Sequence, residues 1–213
     1  MSEAKPRILV ADDERNVRKN LALVLEAAGY QTAEARDGDE AVELCKQMHP
    51  DIAFVDLHMP KLDGLAVLAI VRGISPKTAV VIITAYGSAA NATEAMKLGA
   101  VDFLEKPFEP KMIEILAKEI LLRRRIASRG SFDDFMSLAD LAEARNARIE
   151  ARAYLKAAMS AALERPEPYY RLGLLWESDG EQNRAVQYFF MAVSADHGFA
   201  PALDALKRLG KLH

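Results

Sequence analysis

Between residues 7 and 125, short apolar runs alternate with amphipathic stretches of helical length, five times over, and this alternation leaves the first half of the chain few folds to choose from. The runs RILVA (7–11), IAFV (52–55), AVVII (79–83) and VDFL (101–104) have the length of strands. Their near-continuous hydrophobicity is what strands buried on both faces require. A weaker strand is expected at QTAEA (31–35). Between them, Glu14 to Ala28 sets Val17, Leu21, Val24, Leu25 and Ala28 at helical spacings, with Gly29 as a stop signal. Similar stretches run through 38–48, 63–72, 88–98 and 109–125. Strand followed by helix, repeated, predicts an α/β domain: a doubly wound, five-stranded parallel sheet with helices on both faces. The reactive crevice of such a sheet lies at the carboxyl ends of its strands.

The acidic residues gather at that crevice. Asp12 and Asp13 follow the first strand, Asp56 follows the third, Thr84 follows the fourth, and Lys106 lies just beyond the fifth. Three carboxylates converging on one place repel one another, so the site calls for a cation. Oxygen-only ligation with positions left for water suits magnesium better than zinc or copper. Thr84 offers a neutral hydroxyl and Lys106 a compact ammonium, the donors that an incoming phosphoryl group with anionic oxygens requires.

The fragments ILVADDE (8–14), DIAFVDLHMPKLDG (51–64), VIITAYG (81–87) and GAVDFLEKPF (99–108), in this order and each at the end of an expected strand, resemble the receiver domain of two-component response regulators over roughly residues 5 to 125. The resemblance implies a flavodoxin-like fold in which Asp56 is the phospho-accepting nucleophile, supplied by a sensor histidine kinase or a phosphotransfer protein. It implies that Asp12, Asp13 and Asp56, with the backbone carbonyl of His58, hold Mg2+, and that Thr84 and Lys106 bind the phosphoryl oxygens. It further implies a switch in which Thr84 is drawn inward and an aromatic on the fifth strand follows. That aromatic is Phe103 here, so with no hydroxyl the switch would rest on packing. Tyr86 is expected over the acyl phosphate. EAMKLGAVDFLEKPF (94–108) is most similar to receivers of the nitrogen-regulatory-protein-C type, although the residues that follow do not read as a sigma-54-activating ATPase. A receiver catalyses its own phosphorylation and slow dephosphorylation, so turnover of an external substrate is not expected.

A boundary is expected at Ser128 to Ser131, dividing a receiver over 1–127 from a helical domain over 132–213. Ten of the fifteen aromatic residues fall in that second part, where no strand-like alternation occurs. Leu172, Gly173, Trp176, Ala185, Phe189 and Ala192 have the separations of a tetratricopeptide repeat, with Gly180 near the turn. A step back of 34 residues reaches Leu138, Ala139, Ala142, Ala151, Leu155 and Ala158. Two repeats, at 132–165 and 166–199, followed by a capping helix over 200–211, are expected. Tyr170, Tyr188, Phe190 and Phe199 exceed the needs of one small core and are candidates for a groove that binds a partner peptide or helix.

Charge bears on the function classes. The chain carries 28 Lys and Arg against 31 Asp and Glu. Its second part has ten cations against twelve anions from residue 131 onward, which disfavours a duplex-binding surface. The alternative reading, a transcription regulator with an unrecognised DNA-binding domain, would need a basic recognition helix. The densest basic run, Arg123-Arg124-Arg125, instead ends the last receiver helix, where it complements the helix dipole or faces solvent. Protein partners and a homodimer fit the helical domain better than nucleic acid. No apolar run reaches membrane-spanning length, no phosphate loop or dinucleotide fingerprint occurs, and the lone Cys45 reads as a buried apolar residue. A cytoplasmic address is expected.

Overall fold

The computed structural model describes residues 5–85, 87–126 and 130–212; Tyr86 and the linker residues Ser128 and Arg129 lie outside the described residues. The chain forms two compact units that divide between Ile120 and Leu121.

In the first unit β1 (Arg7–Ala11), α1 (Arg15–Ala27), β2 (Gln31–Ala35), α2 (Gly38–Met48), β3 (Ile52–Asp56), α3 (Gly64–Ile74), β4 (Ala79–Thr84), α4 (Ala89–Lys97) and β5 (Asp102–Glu105) follow in strict alternation, and α5 (Pro110–Arg125) begins there. The sheet is parallel throughout, in the order β2-β1-β3-β4-β5, which is the expected flavodoxin-like winding. β3 and β4 are buried along their whole length, while β2 and β5, at the edges, are half-covered. This gradient is why QTAEA gives a weak strand signal and IAFV a strong one.

Burial alternates between faces with the period of two that the pleat imposes. Leu9, Ala11, Ala53, Val55, Val80 and Ile82 join Ala41, Val67, Leu68 and Ala95 in one cluster. The alternate residues Ile8, Val10, Ile52, Phe54, Val81 and Ile83 are equally enclosed. Side-chain caps start three helices: Asp37 accepts from Glu40 N, Asp63 from Ala66 N and Ser88 from Asn91 N. Gly29 ends α1 with φ of 93°, as its stop signal anticipates.

The second unit is all-helical, with α6 (Phe132–Ala144), α7 (Arg148–Ala161), α8 (Glu167–Ser178), α9 (Gln182–Ala195) and α10 (Ala200–Arg208) following the end of α5. Its core repeats along the chain. Leu138, Leu172 and Leu206 are buried, as are the pairs Ala151 and Ala185, Leu155 and Phe189, Ala158 and Ala192. The turns repeat too: Asn146 (φ 58°) and Gly180 (φ 79°) stand at equivalent positions. Ala147 N donates to Ala142 O at 2.8 Å, as Glu181 N does to Trp176 O at 2.9 Å. Three of the four candidate groove aromatics also make contacts inside this unit and are half-buried. Tyr170 lies 5.7 Å from both the Phe189 and Phe199 rings, Tyr188 is half-buried against Leu155 and Leu172, and Phe190 alone of the four is exposed. No helix among the described residues is long and apolar enough to cross a membrane.

Candidate functional site

The order of the sheet reverses at β1, whose neighbours are β2 and β3, so a crevice opens beyond the carboxyl ends of β1 and β3. Asp12 is the first residue past β1 and Asp56 is the last of β3. Both are almost wholly buried, at 1% and 5% exposure. β5 delivers the third group: Lys106 N donates to Thr84 O at 2.7 Å, which fixes the start of the β5–α5 loop, and the Lys106–Pro107 peptide bond is cis. From there Lys106 Nζ reaches between the acids, 2.7 Å from Asp12 Oδ2 and 2.8 Å from Asp56 Oδ1, with Glu14 Oε1 at 3.5 Å.

The remaining carboxylate oxygens are held by backbone. Glu14 N donates to Asp12 Oδ1 at 2.9 Å and His58 N to Asp56 Oδ2 at 2.7 Å. Both acids are therefore oriented by one main-chain amide and one shared ammonium. Burial raises the Asp12 carboxyl above its ordinary value, a shift that the Lys106 hydrogen bond and charge reduce without cancelling. Burial also works against the Lys106 ammonium, but its hydrogen bonds to Asp12 and Asp56 outweigh that cost and its pKa stands above the ordinary lysine value.

Asp13 is exposed, beside the buried Asp12, and His58 is exposed with its backbone turned to Asp56. Thr84, fully buried, ends β4 one residue past Ile83, the register partner of Asp56. Phe103 is half-buried against the sheet's core cluster and borders an open depression of about 240 Å³ that Gly87, Ser88, Ala89, Ala92 and Glu105 also line. Among the described residues no three His, Cys, Asp or Glu side chains cluster closely enough to hold a metal by themselves. The buried carboxylates of Asp12 and Asp56, with the exposed Asp13 next to Asp12 in the chain, are oxygen donors of the kind that suits a hard divalent ion retaining several of its waters.

One residue near the site carried no signal in the sequence. Arg18, on the first turns of α1, donates from Nη1 to the Asp12 carbonyl at 2.6 Å and from Nε to Glu34 at 3.2 Å. Its apolar neighbours define the helix period and it reads there as a polar surface position.

Comparison with known proteins places this geometry. The response regulator receiver domain model matches residues 8–118. The chain is 38% identical over 129 residues to a probable transcriptional regulator, ycf27, of Guillardia theta, covering 61% of this chain and 50% of that one. It is 39% identical over 114 residues to the chemotaxis protein CheY of Thermotoga maritima, covering 53% of this chain and 95% of that protein. Among solved structures it resembles the receiver domain of the Francisella response regulator 1452, with a TM-score of 0.54 and 34% identity over 56% of this chain and 99% of that one. The chain spans about half the length or less of the first curated relatives it matches.

Proposed function

The chain belongs to the response regulator receiver family, and from that premise we propose that it accepts a phosphoryl group on Asp56 and signals through its helical unit. The observation that carries the reading is the shared ammonium, with Lys106 Nζ within 2.8 Å of both buried acids. In this reading an Asp56 oxygen attacks the phosphorus of a phosphohistidine on a histidine kinase or phosphotransfer protein. The P–N bond breaks, the imidazole leaves and an acyl phosphate forms.

Asp12, Asp13, Asp56 and the His58 carbonyl are the groups that would hold Mg2+, which when bound offsets charge on the transferred phosphoryl group. Lys106 then exchanges its Asp56 bond for a phosphoryl oxygen, and Thr84 supplies a second donor. The pull on Thr84 passes to Phe103, whose neighbouring depression gives the ring room to turn.

The repeated turns and buried positions of the helical unit support a tetratricopeptide-like module that engages a protein. A DNA-binding output is disfavoured by how its cations are used, since Arg148, Arg152, Arg165, Arg171, Arg184 and Arg208 are all in ion pairs with carboxylates of the same unit. The sequence fragment EAMKLGAVDFLEKPF supports the nitrogen-regulatory-protein-C type of receiver, and a cytoplasmic address belongs to the same reading.

The test is labelling with acetyl phosphate and Mg2+, followed by intact mass. Wild type should gain one phosphoryl group and Asp56→Asn none. Labelling of the Asn variant would place the acceptor elsewhere.

A further inference from the structure

Asp12 sits where the sheet runs out. Its amide still donates to Ala35 O at 3.1 Å, continuing the β1–β2 ladder, but it lies one residue past the last β1–β3 pair, Ala11 with Val55. Its carbonyl receives a side chain, the Arg18 guanidinium at 2.6 Å. The Arg18 side chain is only 13% exposed, and Glu34 on β2 accepts from its Nε at 3.2 Å. Arg18 therefore joins α1, β2 and the first residue of the β1–α1 loop. Two residues further on, Glu14 N clamps Asp12 Oδ1. A loop residue fixed at its amide, its carbonyl and one carboxylate oxygen holds its own side chain, and the backbone that leads to Asp13, in one orientation.

We propose that Arg18, held by Glu34, is a positioning residue that sets the Asp12–Asp13 carboxylates for Mg2+, an inference that rests on the metal-binding reading of the site above. The direction of the effect separates positioning from charge. Removing a cation beside a divalent-ion site tightens metal binding if its charge is what matters, and weakens binding if its hydrogen bonds are what matters. Glu34 gives the complementary case, because glutamine in its place keeps an oxygen acceptor for Arg18 Nε and loses the charge.

The experiment is Mg2+ titration calorimetry on the full chain, joined to amide hydrogen exchange of the metal-free protein. Arg18→Ala should weaken Mg2+ binding about tenfold, the usual cost of losing an outer support of a metal ligand, and should speed exchange of the Glu14 amide. Glu34→Gln, which keeps an oxygen acceptor for Arg18 Nε, should leave both close to wild type. Unchanged or tighter Mg2+ binding in Arg18→Ala would overturn the proposal, as would an unchanged Glu14 amide. A wild-type protein that binds no Mg2+ would overturn the metal reading of the site, and the Glu14 exchange result would then decide alone whether Arg18 positions the loop.

Discussion

A methyl group on Gly64 would lie 2.5 Å from the carbonyl oxygen of Asp56 and 2.9 Å from Leu57 Cα. Gly64 is the first residue of α3, and its amide donates to Leu57 O at 2.9 Å, so the helix start is pressed against the backbone that presents the Asp56 carboxylate, the proposed acceptor. Gly64→Ala must push that backbone aside. A loss of about 1 to 3 kcal/mol is expected from the overpacking, together with slower phosphorylation of Asp56 from acetyl phosphate. An alanine variant with wild-type stability and rate would show that the contact is not tight in solution.

Lys106 is the only cation with a direct hydrogen bond to both Asp12 and Asp56 among the described residues. Lys106→Ala should cost about 3 kcal/mol without metal, the lower end of what breaking a buried ion pair costs, because the ammonium is partly exposed. Mg2+ then becomes the available counterion, so it should raise the melting temperature of the variant more than that of wild type. Equal shifts in the two proteins would contradict this role.

Cys45 is fully buried on α2, and burial pushes its thiol up to about 12. Only thiolate reacts appreciably with alkylating reagents, so at pH 8 the folded protein should resist iodoacetamide while the protein in urea reacts promptly. Matching rates would mean that α2 opens freely.

The sheet, and the meeting of Asp12, Asp56 and Lys106 at its carboxyl end, were legible for one physical reason. Strands enclosed on both faces must be apolar throughout, so Val55 and Ile83 announce β3 and β4, and residues with chemistry stand out where those runs stop. Lys106 was legible as a cation at the carboxyl end of the sheet, but its position between Asp12 and Asp56 was not, because a loop's reach leaves no periodic trace. Arg18 was hidden for a related reason: it bonds a backbone carbonyl, and a side-chain-to-main-chain bond constrains no partner's identity. Tyr170 and Phe199 looked like surface aromatics because the contact that half-buries them joins α8 to the approach of α10, which spacing within one helix does not reveal.

Asp179, after α8, is held below its ordinary value of 3.8 by hydrogen bonds from Arg152 and then Arg148. A carboxyl lowered on folding contributes stability that is present above its unfolded pKa and is lost as pH falls through its folded one. Glu177 is lowered in the same sense by Arg208. The helical unit should therefore lose stability as pH drops below about 4. Asp179→Asn should melt below wild type at pH 6, with the gap closing toward pH 2. A gap that persists at pH 2 would mean that the ion pairs are not its source.

Gly173 and Phe189 give the sharpest test of the repeat. A β-carbon at Gly173 would lie 2.4 Å from Phe189 Cε1, so glycine is required by the ring opposite rather than by backbone conformation. One repeat earlier the equivalent positions hold Ala139 and Leu155, both fully buried in one cluster. The first copy thus solves the same packing problem with a larger residue on one helix and a smaller one on the other. Gly173→Ala alone should destabilise, since overpacking of about 1 to 3 kcal/mol exceeds the roughly 1 kcal/mol that alanine gains over glycine in a helix. Phe189→Leu alone should also destabilise, by leaving a cavity of partial ring volume. Combined, the two recreate the Ala139–Leu155 pairing, and the double variant should be more stable than the sum of the singles by about 1 to 3 kcal/mol, the range for residues in direct contact. Urea denaturation of all four proteins measures this coupling. Simple additivity would mean that the two copies do not share one packing geometry, and the tetratricopeptide-like reading of the helical unit would fall with it.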